Sequence, residues 1–253
     1  MSEYDLVIRN GKIVDGTGSA PFNGDVAINQ GRIAALGEVS GSGAKEIDAS
    51  DRIVTPGFVD VHTHYDGQSI WGEELSPSSS HGVTTVVMGN CGVGFAPCRK
   101  EDHELLINVM EGVEDIPGVV MAEGLPWDWE TFPEYLDRLD AGSRDIDVAA
   151  YLPHSPLRVY VMGERGANQE PATQDDLARM RALASEAVEA GALGFATSRL
   201  SIHKTADGGS IPSFETDINE LSEICNGLSD AGSKPICFCL LTRACRTWSH
   251  PAS

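Results

Sequence analysis

Two histidines, His62 and His64, stand two residues apart at the end of a short apolar run, GFVDVHTHYDG, in residues 57–67. Side chains on an extended strand alternate in direction, so positions i and i+2 face the same way. Residues 58–62 have the character of a buried strand, and the two imidazoles at its end therefore converge on one point. That geometry suits a divalent metal such as zinc. Asp60 lies on the same face one step earlier, and Asp66 follows just after the strand. Both are placed to orient metal ligands from behind. On spacing alone the pair also fits two histidines lying beyond an edge strand.

A second segment, VTTVVMGNCGVGFAPC, begins with strand character at residues 83–88 and continues through Gly89, Gly92 and Gly94, which permit tight turns. Cys91 falls just past the strand. A thiolate there, facing His62 and His64, would complete a set of three metal ligands. Taken by itself Cys91 reads as a buried thiol; next to the His-x-His it reads as a ligand. Cys98 shares the glycine-rich loop, but its spacing fits no zinc knuckle and it reads as a free thiol.

These residues need a scaffold. Residues 4–55 read as short strands separated by turns. DLVIRNGKIVDG carries a hairpin signal at Asn10-Gly11, and DVAINQGRIAALG a second one at Gln30-Gly31. From about residue 56 the pattern alternates between strand and helix. Short buried runs of the parallel-sheet kind lie at 57–62, 83–88, 147–152 and 193–197. The clearest helix is 173–190, in which Leu177, Met180, Leu183, Ala184, Ala187 and Val188 share a face. Thr173 and Asp176 form a capping box at its start and Gly191 ends it. Residues 130–139 and 217–231 are further helices, the latter with Cys225 on its apolar stripe. KPICFCLLT reads as a fifth strand. His81 sits at a junction before the second strand and reads as structural, and His203 lies in a polar loop and reads as solvated. The Trp127-Asp128-Trp129 cluster reads as packing for a loop.

The chain has 253 residues, 38 acidic against 18 basic, and a net charge of −20. That balance argues against nucleic acid or an anionic membrane as partner. No basic leader or apolar run long enough to span a membrane is visible, so a cytoplasmic address is expected. Six cysteines in a chain of this size do not make a disulfide framework.

With these segments, and with GVEDIPGVVMAEGLPWDWETFPEYLDRL, LPHSPLRVYVMGERG and GALGFATSRLSIHKTADGGSIPS, the chain resembles the D-aminoacylase or N-acyl-D-amino-acid deacylase branch of the metal-dependent amidohydrolases over about residues 4–232. The resemblance implies an α/β fold: the N-terminal half of a TIM-like (β/α)8 barrel preceded by a small β-sandwich lobe. It divides the chain into a lobe at 1–55, the first β/α units at 56–232, and an aberrant tail at 233–253. It implies Zn2+ held by His62, His64 and Cys91, with the cysteine where hydantoinases and dihydroorotases use a carboxylated lysine. The implied substrate is a small N-acyl-D-amino acid, whose amide bond is hydrolysed. His154, just past the third strand, and Arg199, after the fourth, are candidates to touch it. Arg199 could grip a substrate carboxylate with two hydrogen bonds.

The family's further histidines and catalytic aspartate belong to later strands, and no catalytic residue is identifiable here. After Asp230 there is no further Asp or Glu, while Cys237, Cys239 and Cys245 crowd the end and the late His250 fits no ligand position. This switch fits a shifted reading frame near residue 232, and the expectation is a partial metal site on a chain that does not turn over. Two other readings stand beside this one: a cyclic-amide hydrolase of the dihydroorotase or hydantoinase kind, which requires a lysine absent from GALGFATS, and a non-catalytic half-barrel fragment.

Overall fold

The computed structural model describes residues 2–232 and the backbone of 236–240. The side chains of Cys237 and Cys239, with Cys245 and His250, lie outside the described residues. The chain divides into two compact units, Met1–Phe58 and Val59–Ser253, against the boundary at 55/56 expected above.

The first unit is one five-stranded sheet. It comprises β1 (Tyr4–Ile13), β2 (Phe22–Asn29), β3 (Arg32–Gly37), β4 (Gly43–Asp48) and β5 (Ile53–Val54). The order is β3-β2-β1-β4, and β5 also pairs with β1. Gln30-Gly31 makes the hairpin between β2 and β3, with φ of 50° and 71°, the left-handed pair that such a turn requires. Asn10-Gly11 makes no hairpin. β1 runs straight through it, with a register shift against β2 between Ile8 and Gly11. The cause is local: the Asn10 N–H donates to Asp25 Oδ1 at 2.8 Å, and Asn10 takes φ 61°. A Cβ on Gly11 would sit 2.5 Å from Val54 Cγ2. The Asn-Gly dipeptide, of which only Asn10 is left-handed, is therefore spent on a bulge.

The second unit is a β/α array. Its strands are β6 (Phe58–Asp60), β7 (Val83–Met88), β8 (Asp147–Pro153), β9 (Gly194–Ser198) and β10 (Ile236–Leu240). They form one sheet in the order β10-β9-β8-β7-β6. The β7/β8, β8/β9 and β9/β10 pairs are parallel, as in half of a (β/α)8 barrel. Its helices are α1 (Gln68–Trp71), α2 (His103–Glu114), α3 (Gly118–Gly124), α4 (Phe132–Asp140), α5 (His154–Met162), α6 (Glu164–Ala167), α7 (Gln174–Glu189) and α8 (Ile218–Asp230). Both α4 and α7 start at true capping boxes, Thr131 with Glu134 and Thr173 with Asp176. Asp217 caps α8, accepting from the N–H groups of Asn219 and Glu220.

Burial rises toward the C-terminal ends of the strands. In β7 the last three residues are buried and the first three are not; in β8 the last four are buried; in β9 all five are. Met88, Leu152 and Phe195 from these strands pack with Leu157, Met180 and Ile224 from the helices in one core. The loops that leave the C-terminal ends therefore sit on the best-packed part of the unit, which is what a rigid site needs.

Candidate metal centre

β6 is shorter than the run of apolar residues suggests. Regular pairing stops at Asp60, and His62 and His64 lie on the segment that follows. That segment is still tied to β7. The backbone N–H and the hydroxyl of Thr63 both donate to the Val87 carbonyl, at 3.0 and 2.8 Å. Asn90, fully buried, places its amide nitrogen 2.9 Å from the Val87 carbonyl, 3.4 Å from that of Thr63 and 3.5 Å from that of Val61. The two histidines are thus held by backbone hydrogen bonds rather than by strand register. Asp60 Oδ1 accepts from the His62 N–H at 3.3 Å, bracing the first of them.

Cys91 enters from the turn after β7. Gly89 precedes it with φ 77°, and Cys91 itself adopts φ 55°, a left-handed conformation uncommon for a residue with a Cβ. Asp66 supports this turn, since its Oδ1 accepts from the Gly89 N–H at 2.9 Å. Its backbone carbonyl accepts from the Tyr135 hydroxyl at 3.0 Å. Asp66 therefore acts on the cysteine-bearing turn, and no hydrogen bond to a histidine ring accompanies it among the described contacts.

His62, His64 and Cys91 each offer a ligand atom within 4.8 Å of the others. Cys91 Sγ lies 3.4 Å from His62 Nε2, and the imidazole centroids are 5.4 Å apart. Glu114, the last residue of α2, joins them: its Oε1 is 3.2 Å from His64 Nε2. His64 Nδ1 is buried with no hydrogen-bond partner.

The protonation states follow from burial. His64 is pushed down to about 4 by burial, and next by the positive charge that His62 and His203 would carry. Burial pushes Glu114 up to about 7 and Asp66 up to about 7. It pushes the Cys91 thiol up to about 12, helped by the charges of Glu114 and Asp66. Without a cation, burial disfavours the charged forms of His64, Glu114, Asp66 and Cys91. A divalent ion reverses that balance, since it stabilises a thiolate and draws on neutral imidazole lone pairs. Two imidazoles and a thiol are a borderline-soft donor set, and His64 keeps one buried ring nitrogen without a hydrogen-bond partner. The residues present fit zinc.

His203 does not behave as a solvated loop residue. It is half-buried, its Nδ1 is 2.8 Å from Ser198 Oγ at the end of β9, and burial together with His62 lowers its pKa. Its place in the loop leaving a strand's C-terminal end was the available signal. His154 is fully buried. Its Nδ1 lies 2.7 Å from Thr197 Oγ1 and its Nε2 2.8 Å from Glu220 Oε1. With both ring nitrogens engaged inside the core, it has no group left to present to a substrate. Arg199 is half-buried and its Nε donates to the Phe214 carbonyl at 3.4 Å. His81 is exposed, with Nδ1 2.7 Å from the Pro77 carbonyl. Cys98 is buried and is not one of the grouped ligand residues, and Cys225 is half-buried. Trp129 is buried and its indole N–H donates to the Phe95 carbonyl at 2.9 Å, while Trp127 stacks on His103 at 3.9 Å.

Comparison with known proteins identifies the family. A D-aminoacylase of Alcaligenes xylosoxydans xylosoxydans is 33% identical over 230 residues, covering 90% of this chain and 43% of that protein. An N-acyl-D-aspartate deacylase of the same organism is 36% identical over 199 residues, covering 78% of this chain and 37% of that protein. The crystal structure of an N-acyl-D-glutamate deacylase from Bordetella bronchiseptica, complexed with zinc and a phosphonate inhibitor, superposes with a TM-score of 0.73 at 31% identity, covering 93% of this chain and 44% of that one. The chain spans less than half the length of these relatives. The model of the amidohydrolase family matches residues 45–242, and with most of its length inside that match the chain belongs to the amidohydrolase family.

Proposed function

We propose that this chain carries part of the zinc site of a hydrolase that cleaves the amide C–N bond of N-acyl-D-amino acids. The observation that carries this reading is the convergence of His62, His64 and Cys91 within 4.8 Å. The relatives named above act on substrates of this class. Zinc bound by the trio would supply Lewis acidity to the amide carbonyl and to the attacking water. Cys91 contributes the anionic ligand, and its left-handed turn, held by Asp66, aims the sulfur. The backbone bonds of Thr63 and Asn90 fix the histidine segment. The substrate is a small molecule and the expected address is cytoplasmic; no described helix is long and apolar enough to cross a membrane.

No general base is assigned among the described residues, and the expectation for the 253-residue chain is metal binding without turnover. A cyclic-amide hydrolase gains no support, because β9 contains no lysine to carboxylate. The test is a zinc titration of the purified chain, followed by assay on N-acetyl derivatives of neutral and acidic D-amino acids. One equivalent bound, lost in Cys91→Ser, with no hydrolysis, is expected. Failure to bind removes the site, and hydrolysis by the chain alone removes the expectation that it does not turn over.

A further inference from the structure

We infer that His154 is a positioning residue for the metal site: together with Thr197 it forms the bed on which the Cys91 turn rests, and so fixes where the sulfur lies. The inference rests on reading Cys91 as a metal ligand beside His62 and His64.

The turn itself is costly. Cys91 and Gly92 take φ of 55° and 68° in succession, and a left-handed residue that carries a Cβ persists only where its surroundings over-determine it. One side of the turn is held through Gly89, whose N–H reaches Asp66. The other side lies on β9 and the start of α5. A Cβ on Gly92 would stand 2.9 Å from Thr197 Cα, 3.2 Å from the Ala196 carbonyl oxygen and 3.3 Å from His154 Cβ. Two residues on, a Cβ on Gly94 would stand 3.1 Å from Pro153 Cγ. The turn is therefore seated on close-packed atoms and cannot slide toward them. Cys91 precedes the Gly92 contact by one residue, and its Sγ lies 3.4 Å from His62 Nε2. A shift of the bed moves the sulfur relative to that imidazole.

His154 can serve as a bed because its ring is fixed at both ends. Nδ1 is 2.7 Å from Thr197 Oγ1 and Nε2 is 2.8 Å from Glu220 Oε1, and the side chain is fully buried. The second oxygen of Glu220 pairs with Arg158, whose Nη2 donates to the Glu170 carbonyl at 2.6 Å. The ring thus bridges β9 and α8, while its Cβ stays where α5 begins. Thr197 contributes twice, with its hydroxyl to the ring and its Cα to Gly92. The end of β9 is tied as well, since the Ser213 hydroxyl donates to the Ser198 carbonyl at 3.0 Å. The bed acts through packing, whichever ring nitrogen of His154 carries the proton.

Two readouts on the full chain test the assignment: cobalt(II) titration followed in the Co–thiolate charge-transfer band, and the rate of Cys91 alkylation in the metal-free chain, read by peptide mass spectrometry. Thr197→Val and His154→Gln should each bind cobalt roughly 10-fold more weakly, with the thiolate band reduced, and should alkylate at Cys91 faster than wild type. Thr197→Ser keeps the hydroxyl and should match wild type. Thr173→Ala, which weakens the start of α7, should change neither readout. Wild-type values in both Thr197→Val and His154→Gln overturn the proposal. So does an equal loss in Thr173→Ala, which would make the effect one of global stability. If wild type binds no cobalt, the metal-site reading fails, and the alkylation rates alone decide whether His154 seats the turn. Should both variants fail to fold, hydrogen exchange in the wild type decides. The Val93 N–H, which closes the turn on the Asn90 carbonyl at 3.1 Å, should exchange as slowly as the amides of β9; exchange roughly 100-fold faster overturns the proposal.

Discussion

Glu220 Oε1 lies 2.8 Å from His154 Nε2, and neither side chain is more than 2% exposed. The other oxygen of Glu220 pairs with Arg158, which is 1% exposed. His154 and Arg158 are on α5, Glu220 is on α8, and Thr197 on β9 takes the remaining ring nitrogen. One carboxylate therefore joins two helices and a strand behind the rim. Glu220→Ala would leave the Arg158 cation buried without its counter-charge. The expected loss is about 3–5 kcal/mol, measured by urea unfolding, with a smaller loss for Glu220→Gln. Loss under about 1 kcal/mol in Glu220→Ala would show that water reaches the cluster.

The same cluster makes the fold acid-sensitive. Burial holds His154 below its usual 6.5, against the pull of Glu220. Burial opposes ionisation of Glu220, but its bonds to His154 and Arg158 outweigh that and hold it below 4.5. Both folded-state values lie below the unfolded ones, so the unfolded chain takes up protons first as pH falls. Stability should begin to decline below 6.5 as His154 resists protonation, and decline further below 4.5 as Glu220 is neutralised. His64, His103 and His203 are also lowered and act with the same sign, while Asp66 and Glu114, raised to about 7, act with the opposite sign over the same range. The check is therefore the difference between wild type and His154→Gln in denaturation midpoint at pH 8, 6 and 4, with the variant expected to lose less on going from pH 8 to 6. An equal change in both proteins would sink the argument.

Helix α7 offers a cleaner case. Thr173 Oγ1 accepts from the Asp176 N–H at 3.2 Å, and Asp176 Oδ2 accepts in return from the Thr173 N–H at 2.8 Å. Thr173→Ala should cost about 1 kcal/mol. Asp176 is held near 2, since burial, which would raise it, is outweighed by Arg165 and the Thr173 bonds. Its contribution is therefore complete above its usual 3.8 and lost as pH falls toward 2. Asp176→Asn should remove that acid dependence and leave the neutral-pH fold intact, as followed by circular dichroism.

How far the sequence reaches is visible in these residues. The His-x-His, the cysteine after a buried strand and both capping boxes are local patterns, carried by residues a few positions apart, and local physics decides them. Asn10-Gly11 misleads because the same Asn-Gly dipeptide serves a turn or a bulge, and only the distant Asp25 and Val54 decide between them. His154 looks like a rim residue from its position after a strand, but Glu220, sixty-six residues later, draws it into the core. Glu114 and His203 join the site only through the packing of α2 and the return of the loop after β9. Neither relationship leaves a periodic trace.

Asn90 tests whether the histidine segment is held from below. Its amide faces three carbonyls across the gap between that segment and β7. Asn90→Ala should cost about 1–3 kcal/mol for the unsatisfied buried carbonyls. It should weaken zinc binding by more than that global loss alone implies, because the segment carrying His62 and His64 loosens first. Hydrogen exchange at Val61 and Thr63 reports the loosening directly. Equal exchange in both proteins would mean that the Thr63 bonds suffice.

Gly89 links sheet packing to the metal site. At φ 77° a Cβ is strained whatever the surrounding space, and here it would also meet the Tyr151 carbonyl at 2.3 Å. That oxygen belongs to β8 and cannot move without disturbing the sheet. Its N–H is the donor to Asp66 Oδ1, so displacement of residue 89 also releases the carboxylate beneath the Cys91 turn. Gly89→Ala should therefore do two separable things. It should lower stability by about 2–4 kcal/mol through strain and overlap. It should also weaken zinc binding at temperatures where the variant is still folded, with the Co–thiolate band reduced in intensity. Asp66→Asn separates the effects, since it keeps the backbone of residue 89 and changes only the acceptor. If Asp66→Asn leaves the thiolate band intact while Gly89→Ala abolishes it, the turn is shaped by its own backbone. If both weaken the band, the carboxylate is what aims the sulfur.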